Sequence, residues 1–550
     1  MATLRLGDLL IAKKLLTESQ LKVAFAQQAV TGDLLGETLI KLGFVTSKEI
    51  TQSLAEQAGI EFLEFDGYAP SDEALRLVPQ DIARRADFLP LNIENGILTI
   101  AICNPSNILA IDTATRIAGK PPKVYMVDSE SFYQTLERAY YFLENPIHKR
   151  IESLIKEIRT MESPSAALIS SFVELLLVDG IRRNATDVHI SPSKEAVHVL
   201  YRIDGVLQHA HCLPKIAQNG IISRIKILSS LDIAEQRLPQ DGSFTFDFLS
   251  KKYGMRVSTI PTIYGENIVI RILSGSASLL RISRLGFDEA NTQKLLTLFS
   301  KPFGIILITG PTGSGKTTTL YAALREVNLL EKNVLTIEDP VEYRLSMVKQ
   351  TEVNEKAGYD FAVGGRNFMR HDPDVILIGE IRDEATAAIA IRSSITGHLV
   401  LTTLHTNDAV TAIPRLIDLN VDRYLLSSSL LAVVAQRLVR KICTNCKREH
   451  QLQDGDLLAM GFSEVEGKIK MTFKGRGCSS CNYTGYLGRT AIGEILIVDD
   501  EIKELIYSGS SVKKIKDAAI MRGMKTLRDD GIRKALQGIT TFEEILRVVG

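Results

Sequence analysis

The chain has 550 residues, 45% of them hydrophobic, and its 65 lysines and arginines are balanced by 65 aspartates and glutamates. That length predicts roughly three or four domains, and that hydrophobic content excludes a chain disordered throughout. Zero formal charge and a pI near 7.1 argue against a dedicated nucleic-acid binder, whose affinity rests on neutralising phosphates, though not against a local basic patch.

The start of the chain has no charged segment followed by a long apolar run, so no signal peptide is expected. No window of about 18 residues is free enough of charge to predict a membrane span. The nearest, Tyr424 to Ala435, is short and flanked by Arg423 and Arg437. Six cysteines without an export signal are expected as reduced thiols of a cytosolic compartment. Two of them, Cys103 and Cys212, stand alone and read as buried small apolar residues.

An internal repeat with an offset of 29 residues opens the chain, aligning Arg5, Leu6, Gly7, Leu10, Lys14, Leu21, Phe25 and Gln28 with Leu34, Leu35, Gly36, Leu39, Gly43, Ile50, Leu54 and Gln57. Each copy carries a capping box, Thr17–Gln20 and Thr46–Glu49. Helical spacing then puts Leu21, Ala24, Phe25 and Gln28, or Ile50, Ser53, Leu54 and Gln57, on one face. Two similar helical hairpins packed together are the simplest reading. Two apolar runs flanking Asn95-Gly96 predict a β-hairpin, Ile108 to Ile117 predicts a helix, and residues 1–145 read as one helical and mixed module. Residues 146–165, charged and ending in Ser163-Pro164-Ser165, read as a linker. Residues 166–282 read as a second, α+β domain opening on an apolar helix, Leu168 to Ile181. The last domain spans 283–550, with an insert at 440–490.

That last domain contains Gly310-Pro311-Thr312-Gly313-Ser314-Gly315-Lys316-Thr317-Thr318, which satisfies G-x-x-x-x-G-K-[ST]. The apolar run Gly304 to Thr309 before it reads as a buried parallel strand, and helical spacing follows it. Glycines let backbone N–H groups wrap a polyphosphate at a helix N-terminus. Lys316 would reach the β- and γ-phosphates of ATP, and the Thr317 hydroxyl would ligate Mg²⁺.

Downstream, two more apolar strands end in carboxylates, Val334–Ile337 before Glu338 and Val375–Ile378 before Gly379-Glu380. Ligands gather at strand C-termini in open parallel sheets. Glu380 matches a Walker-B place, with Gly-Glu where an aspartate is usual, which suggests contact to Mg²⁺ through water. Glu338 is the better candidate for polarising the attacking water, although the pattern alone leaves open which glutamate does which. Thr396 to Asp408 puts a histidine on each side of a buried strand. His405 follows the strand and could sense the γ-phosphate, whereas His398 precedes it.

Arg256 and Arg271 each interrupt an alternating strand pattern, and arginine from a neighbouring subunit often meets transition-state charge in phosphoryl transfer. Cys443-x-x-Cys446 and Cys478-x-x-Cys481, with 31 residues between them, suit a closed, structural Zn²⁺ site. Disulfides compete with that reading and are disfavoured in a reducing compartment.

The phosphate loop, Glu338 to Glu342, Gly379 to Asp383, the histidine segment and the four cysteines together make the chain resemble the secretion-ATPase superfamily, in its type IV pilus and type II secretion assembly branch. The resemblance implies a RecA-like P-loop domain preceded by an α+β (PAS-like) domain and the N-terminal module, with a tetracysteine zinc insert. It implies a homo-hexameric, Mg²⁺-dependent ATPase in which arginines equivalent to Arg256 and Arg271 approach bound ATP, with Arg366 and Arg370 at subunit contacts. It further implies a cytoplasmic enzyme held at the inner membrane by a platform protein and a membrane-anchored adaptor, with no nucleic-acid partner. The other class considered is a nucleic-acid-translocating ring motor. The N-terminal repeat resembles a module that binds cyclic di-GMP, but Lys14 replaces a glycine and Leu34 an arginine of that pattern. A helical module that docks on an adaptor is the competing reading.

Overall fold

The computed structural model describes residues 5–65, 68, 70–274, 281–453 and 471–550. The chain divides into two compact units, whose described parts are, in the main, Ser47–Ser274 and Gly7–Thr46 with Arg281–Gly550.

The first unit holds two sheets. In the smaller, β1 (Glu61–Phe62), β2 (Leu89–Glu94), β3 (Ile97–Ile102) and β4 (Lys123–Met126) lie in the order β1-β4-β3-β2. Asn95 and Gly96 join β2 to β3 with φ of 53° and 72°, the left-handed pair a tight hairpin turn requires. Ile100 and Ile102 share a core with Phe132, Leu136 and Tyr140 of the helix Ser129–Glu144.

Where a linker was expected at 146–165, residues Ile147–Thr160 form a helix. Ile147, Ile151 and Ile158 recur at helical spacing and are buried in the same core as Phe172 and Tyr201. This apolar stripe outweighs the surrounding charge density. Ser165 caps the next helix, Ala166–Arg182, by accepting from Leu168 N at 3.3 Å.

The larger sheet is antiparallel throughout, with strands β5 (Ala185–Pro192), β6 (Ala196–Ile203), β7 (Val206–Pro214), β8 (Gln240–Phe248), β9 (Lys251–Thr262) and β10 (Gly265–Ser274) in the order β7-β6-β5-β10-β9-β8. Its inward residues, among them Val188, Val199, Val257 and Ile270, pack with the apolar face of Ala166–Arg182. Cys212 lies on β7 and is exposed, against expectation, because inward and outward positions alternate and its neighbours His211 and Leu213 take the buried ones.

The second unit begins with the first copy of the repeat. Thr17 and Gln20 form the expected reciprocal capping box at 2.9 and 3.2 Å. Phe25, expected on the inward face, is 50% exposed, whereas Ala24 is buried. Both copies touch the nucleotide domain within this unit, the first where Arg281 donates to the Leu15 carbonyl at 3.4 Å and the second, through its opening helix, where the Ser346 hydroxyl donates to the Lys41 carbonyl.

The large sheet of this unit comprises β11 (Gly304–Thr309), β12 (Val334–Glu338), β13 (Lys349–Glu352), β14 (Val375–Ile378), β15 (Leu399–Leu404), β16 (Leu430–Ile442) and β19 (Tyr486–Ile497). Their order is β13-β12-β14-β15-β11-β16-β19, parallel except for β19. Along β11, Ile305 and Leu307 enter one core while Ile306 and Ile308 enter the other. Two covered faces explain why this strand reads as an unbroken apolar run.

The stretch Tyr424 to Ala435 falls across a short helix, Arg423–Ser429, and the start of β16. No helix among the described residues is long and apolar enough to cross a membrane. β17 (Lys447–Gln451) and β18 (Met471–Gly475) pair antiparallel within the expected insert, of which residues 454–470 lie outside the described ones.

Candidate functional site

The chemistry-bearing residues collect at the C-terminal ends of β11, β12, β14 and β15. β11 runs into the loop Gly310–Gly315, and Gly315 starts the helix Lys316–Glu326 with φ of 89°. Gly310 and Gly313 also have positive φ, 150° and 77°. A Cβ on Gly310 would stand 2.4 Å from the Gln436 carbonyl, and one on Gly315 would stand 2.8 Å from the Gln436 amide. Only glycine satisfies both the backbone and the space there. Pro311, Thr312, Thr317 and Thr318 are exposed, leaving the Thr317 hydroxyl accessible at the first turn of the helix.

Gln436 was not identified from the sequence. Its buried amide accepts from the Thr319 hydroxyl at 2.7 Å and donates to the Ser314 carbonyl at 2.8 Å. It thereby ties the loop and its helix to the neighbouring strand. The available signal was the polar pair Gln436-Arg437 interrupting the apolar run of β16.

Arg437 was likewise missed. Its guanidinium donates to the Asn407 carbonyl at 2.8 Å, just beyond the histidine segment, and forms no ion pair with a carboxylate among the described residues. The Lys316 ammonium also meets only carbonyls, Gly310 O at 2.9 Å and Pro311 O at 3.4 Å. Burial holds the Lys316 ammonium below its usual proton affinity, the Glu380 carboxylate opposes that, and the like charge of Arg437 adds to it. Burial lowers Arg437 as well, against the more distant carboxylates of Asp408 and Glu494, which oppose it. Ser314 Oγ is buried without a hydrogen-bond partner. Two half-buried cations, an unpaired hydroxyl and a left-handed glycine loop make a cradle that fits a polyphosphate anion.

Across from the cradle stand the carboxylates. Glu380 is coulombically coupled to Lys316, and its oxygens face Arg382 Nε at 2.6 Å and His405 Nε2 at 3.4 Å. Arg382 also reaches Asp339 at 3.3 Å, joining the ends of β12 and β14. The hydrogen bond to Glu380, with the nearby negative charge, raises the proton affinity of Arg382 further. The Asp339–Pro340 peptide bond is cis.

Glu338 sits differently. It is 5% exposed and accepts from the Thr336 hydroxyl at 2.6 Å, the Gln350 amide at 3.1 Å and the Tyr321 hydroxyl. Of the two glutamates, Glu380 is the more accessible, its side chain 20% exposed. His398 lies at the opposite end of β15, its Nδ1 within 2.8 Å of the Ser393 carbonyl, away from these groups.

In the first unit, Arg256 and Arg271 are direct cross-strand neighbours on β9 and β10, and both are exposed. Arg271 pairs with Asp187 at 3.0 Å, and Arg256 has no carboxylate partner among the described residues. Arg366 and Arg370 are exposed at the end of the helix Phe361–Phe368 and just beyond it.

Cys443, Cys446, Cys478 and Cys481 converge so that all four sulfurs lie within 4.8 Å of one another. Three of the separations are 3.8, 3.8 and 3.7 Å. A disulfide would close at about 2.0 Å, whereas tetrahedral Zn²⁺ with Zn–S of about 2.3 Å has edges of about 3.8 Å. Backbone N–H groups of Gly477, Cys478 and Gly485 point at the sulfurs of Cys446 and Cys481 at 3.1 to 3.3 Å, as outer partners of thiolate ligands do. Burial raises the Cys443 thiol, whereas at Cys478 burial is outweighed by hydrogen bonds from its neighbours, which lower it to about 7. It is the four-sulfur geometry that fits a tetrahedral cation.

Residues 162–547 match the family described as Type II/IV secretion system protein, and residues 58–145 match the MshEN domain. The chain is 40% identical over 525 residues to the type IV pilus assembly ATPase PilB of Thermus thermophilus, covering 94% of this chain and 59% of that protein. It is 36% identical to the protein of the same name from Myxococcus xanthus, covering 98% of each. To the type II secretion system protein E of Dickeya dadantii it is 40% identical, covering 86% and 97%. The X-ray structure of the Legionella pneumophila ATPase DotB shares the fold, with a TM-score of 0.51 at 20% identity over 70% of this chain and 95% of that one.

Proposed function

Because the chain belongs to the type II/IV secretion system protein family, we propose that it is a homo-hexameric motor. In this reading it hydrolyses ATP to drive assembly of a type IV pilus or a type II secretion pseudopilus, from the cytoplasmic side of the inner membrane. Its enzymatic class, an ATPase, follows from the family and its relatives. The observation that supports the site most is the pair of cations, Lys316 and Arg437, which donate only to carbonyls and form no close ion pair among the described residues, beside a glycine loop. Both charges are offset when ATP phosphates enter. Lys316 would then exchange its carbonyl partners for the β- and γ-phosphates, and the Thr317 hydroxyl would hold Mg²⁺, which spreads the charge developing on the transferred phosphoryl group.

Glu380 and Glu338 take the remaining roles, orienting the metal's water shell and the attacking water, while His405 reports the terminal phosphate through Glu380. Arg256 and Arg271 would complete the charge from a neighbouring subunit. Phosphate release from Lys316→Ala and Glu338→Gln tests this reading, because rates unchanged in both would mean that the site is misread. The rival ring motor would show ATPase activity raised many-fold by single-stranded DNA and not by a fragment of the membrane platform protein.

The match of residues 58–145 to the MshEN domain supports a second ligand, cyclic di-GMP, held by the N-terminal module, with docking on a membrane-anchored adaptor as the competing role. Calorimetry separates them, since silence at high micromolar dinucleotide would leave docking alone. For the four cysteines the proposal is structural Zn²⁺.

A further inference from the structure

Tyr321 links the phosphate-loop helix to Glu338. It lies one helical turn after Thr317, on the same face of Lys316–Glu326, and is 2% exposed. Its hydroxyl donates to Glu338 Oε2 and accepts from the backbone N–H groups of Glu342 and Tyr343 at 3.3 and 3.4 Å. A phenol has one proton and two lone pairs, so this network fixes its orientation. Both lone pairs are taken by N–H groups, and the proton must go to the carboxylate. Glu338 therefore accepts at Oε2 from Tyr321 and at Oε1 from Thr336 and Gln350. An ionised carboxylate offers about four acceptor sites, which leaves about one on Glu338 for a further donor. Tyr343, whose N–H the phenol holds, also packs edge-on against the Tyr321 ring at 5.6 Å.

We propose that Tyr321 is a positioning residue for ATP hydrolysis. It keeps Glu338 oriented with a single acceptor site left for water, and it makes that orientation follow the helix that carries Lys316 and Thr317. The inference rests on the reading of Glu338 given above. Tyr321→Phe removes one donor from the carboxylate and leaves two backbone N–H groups without their acceptor, loosening the turn 339–343 without touching the phosphate cradle.

The test is ATP turnover by the full-length protein, with steady-state kinetics for Tyr321→Phe, Thr336→Val and Glu338→Gln. Single-turnover kinetics then cover the Tyr321→Phe/Glu338→Gln double variant. Tyr321→Phe should lower kcat roughly tenfold or more, as a displaced reacting group does, with KM for ATP within about twofold of the parent. Thr336→Val, which removes a donor from the other carboxylate oxygen, should lower kcat in the same way even if the tyrosine variant folds poorly. The double variant should match Glu338→Gln. A parental kcat in Tyr321→Phe and Thr336→Val, a loss confined to KM, or an equal further loss in the Glu338→Gln background would overturn the proposal. Parental turnover in Glu338→Gln would instead bring down the role given to Glu338 itself.

Discussion

The phosphate cradle and the cysteine knuckle bring ligand-type groups together in opposite ways. At the cradle, Lys316 and Arg437 carry like charge near each other and donate only to carbonyls, with carboxylates acting on them from beyond hydrogen-bond distance. At the knuckle, four sulfurs already stand at tetrahedral-edge distances, with backbone N–H groups aimed at them. The first arrangement suits a ligand that arrives and leaves, since binding relieves repulsion built into the protein. The second suits one that stays, because the donor set is closed. Turnover and structural support thus call for different degrees of completion from the same chain.

The largest expected effect breaks the comparison if it fails. On the proposed function, the charge that develops on the bound phosphates is met partly by Arg256 and Arg271 of a neighbouring subunit, whereas the knuckle needs nothing from another subunit. Arg256→Ala should lower kcat by about 10³-fold or more, the scale of an arginine supplied to a phosphoryl transition state, while ATP affinity stays near the parental value. Mixing this variant with inactive Lys316→Ala subunits should restore turnover, since each supplies what the other lacks. No recovery in mixed assemblies would confine the arginine's action to its own subunit.

The double variant Cys443→Ser/Cys478→Ser sharpens the other half. It should lose its zinc on metal analysis and melt several degrees lower, since a closed metal site adds directly to folding stability. Stoichiometric zinc in the variant would mean that the four thiolates are not its ligands.

What the sequence revealed follows the same division. The phosphate loop, the two strand-end carboxylates and the paired cysteines were legible because each sits in a short segment whose spacing carries its own chemistry. Gln436, Arg437 and Tyr321 were not, because their meaning lies in what they reach across the sheet. Gln436 acts on Ser314 and Thr319, more than a hundred residues away in the chain. The parallel sheet was legible from apolar runs, since both faces of β11 are covered. The helix Ile147–Thr160 was hidden by its charged exposed face, although its isoleucines carried the period.

A smaller effect compares two left-handed backbones. Gly315 meets that conformation at no steric cost, while Lys14 adopts φ of 58° where the second copy of the repeat has Gly43 at 75°. The repeat thus preserves the turn even where it loses the glycine, and the lysine bears a left-handed strain of roughly 1–2 kcal/mol. The Lys14 side chain is exposed, so its removal should leave no buried group unpaired. Lys14→Gly should raise stability toward chemical denaturant by roughly 1 kcal/mol, less the entropy that glycine adds to the unfolded chain. If the N-terminal module holds cyclic di-GMP, the same change should also tighten binding, because the backbone could approach the ligand more closely. A loss of stability would show that the lysine side chain, and not the turn, is what this position keeps.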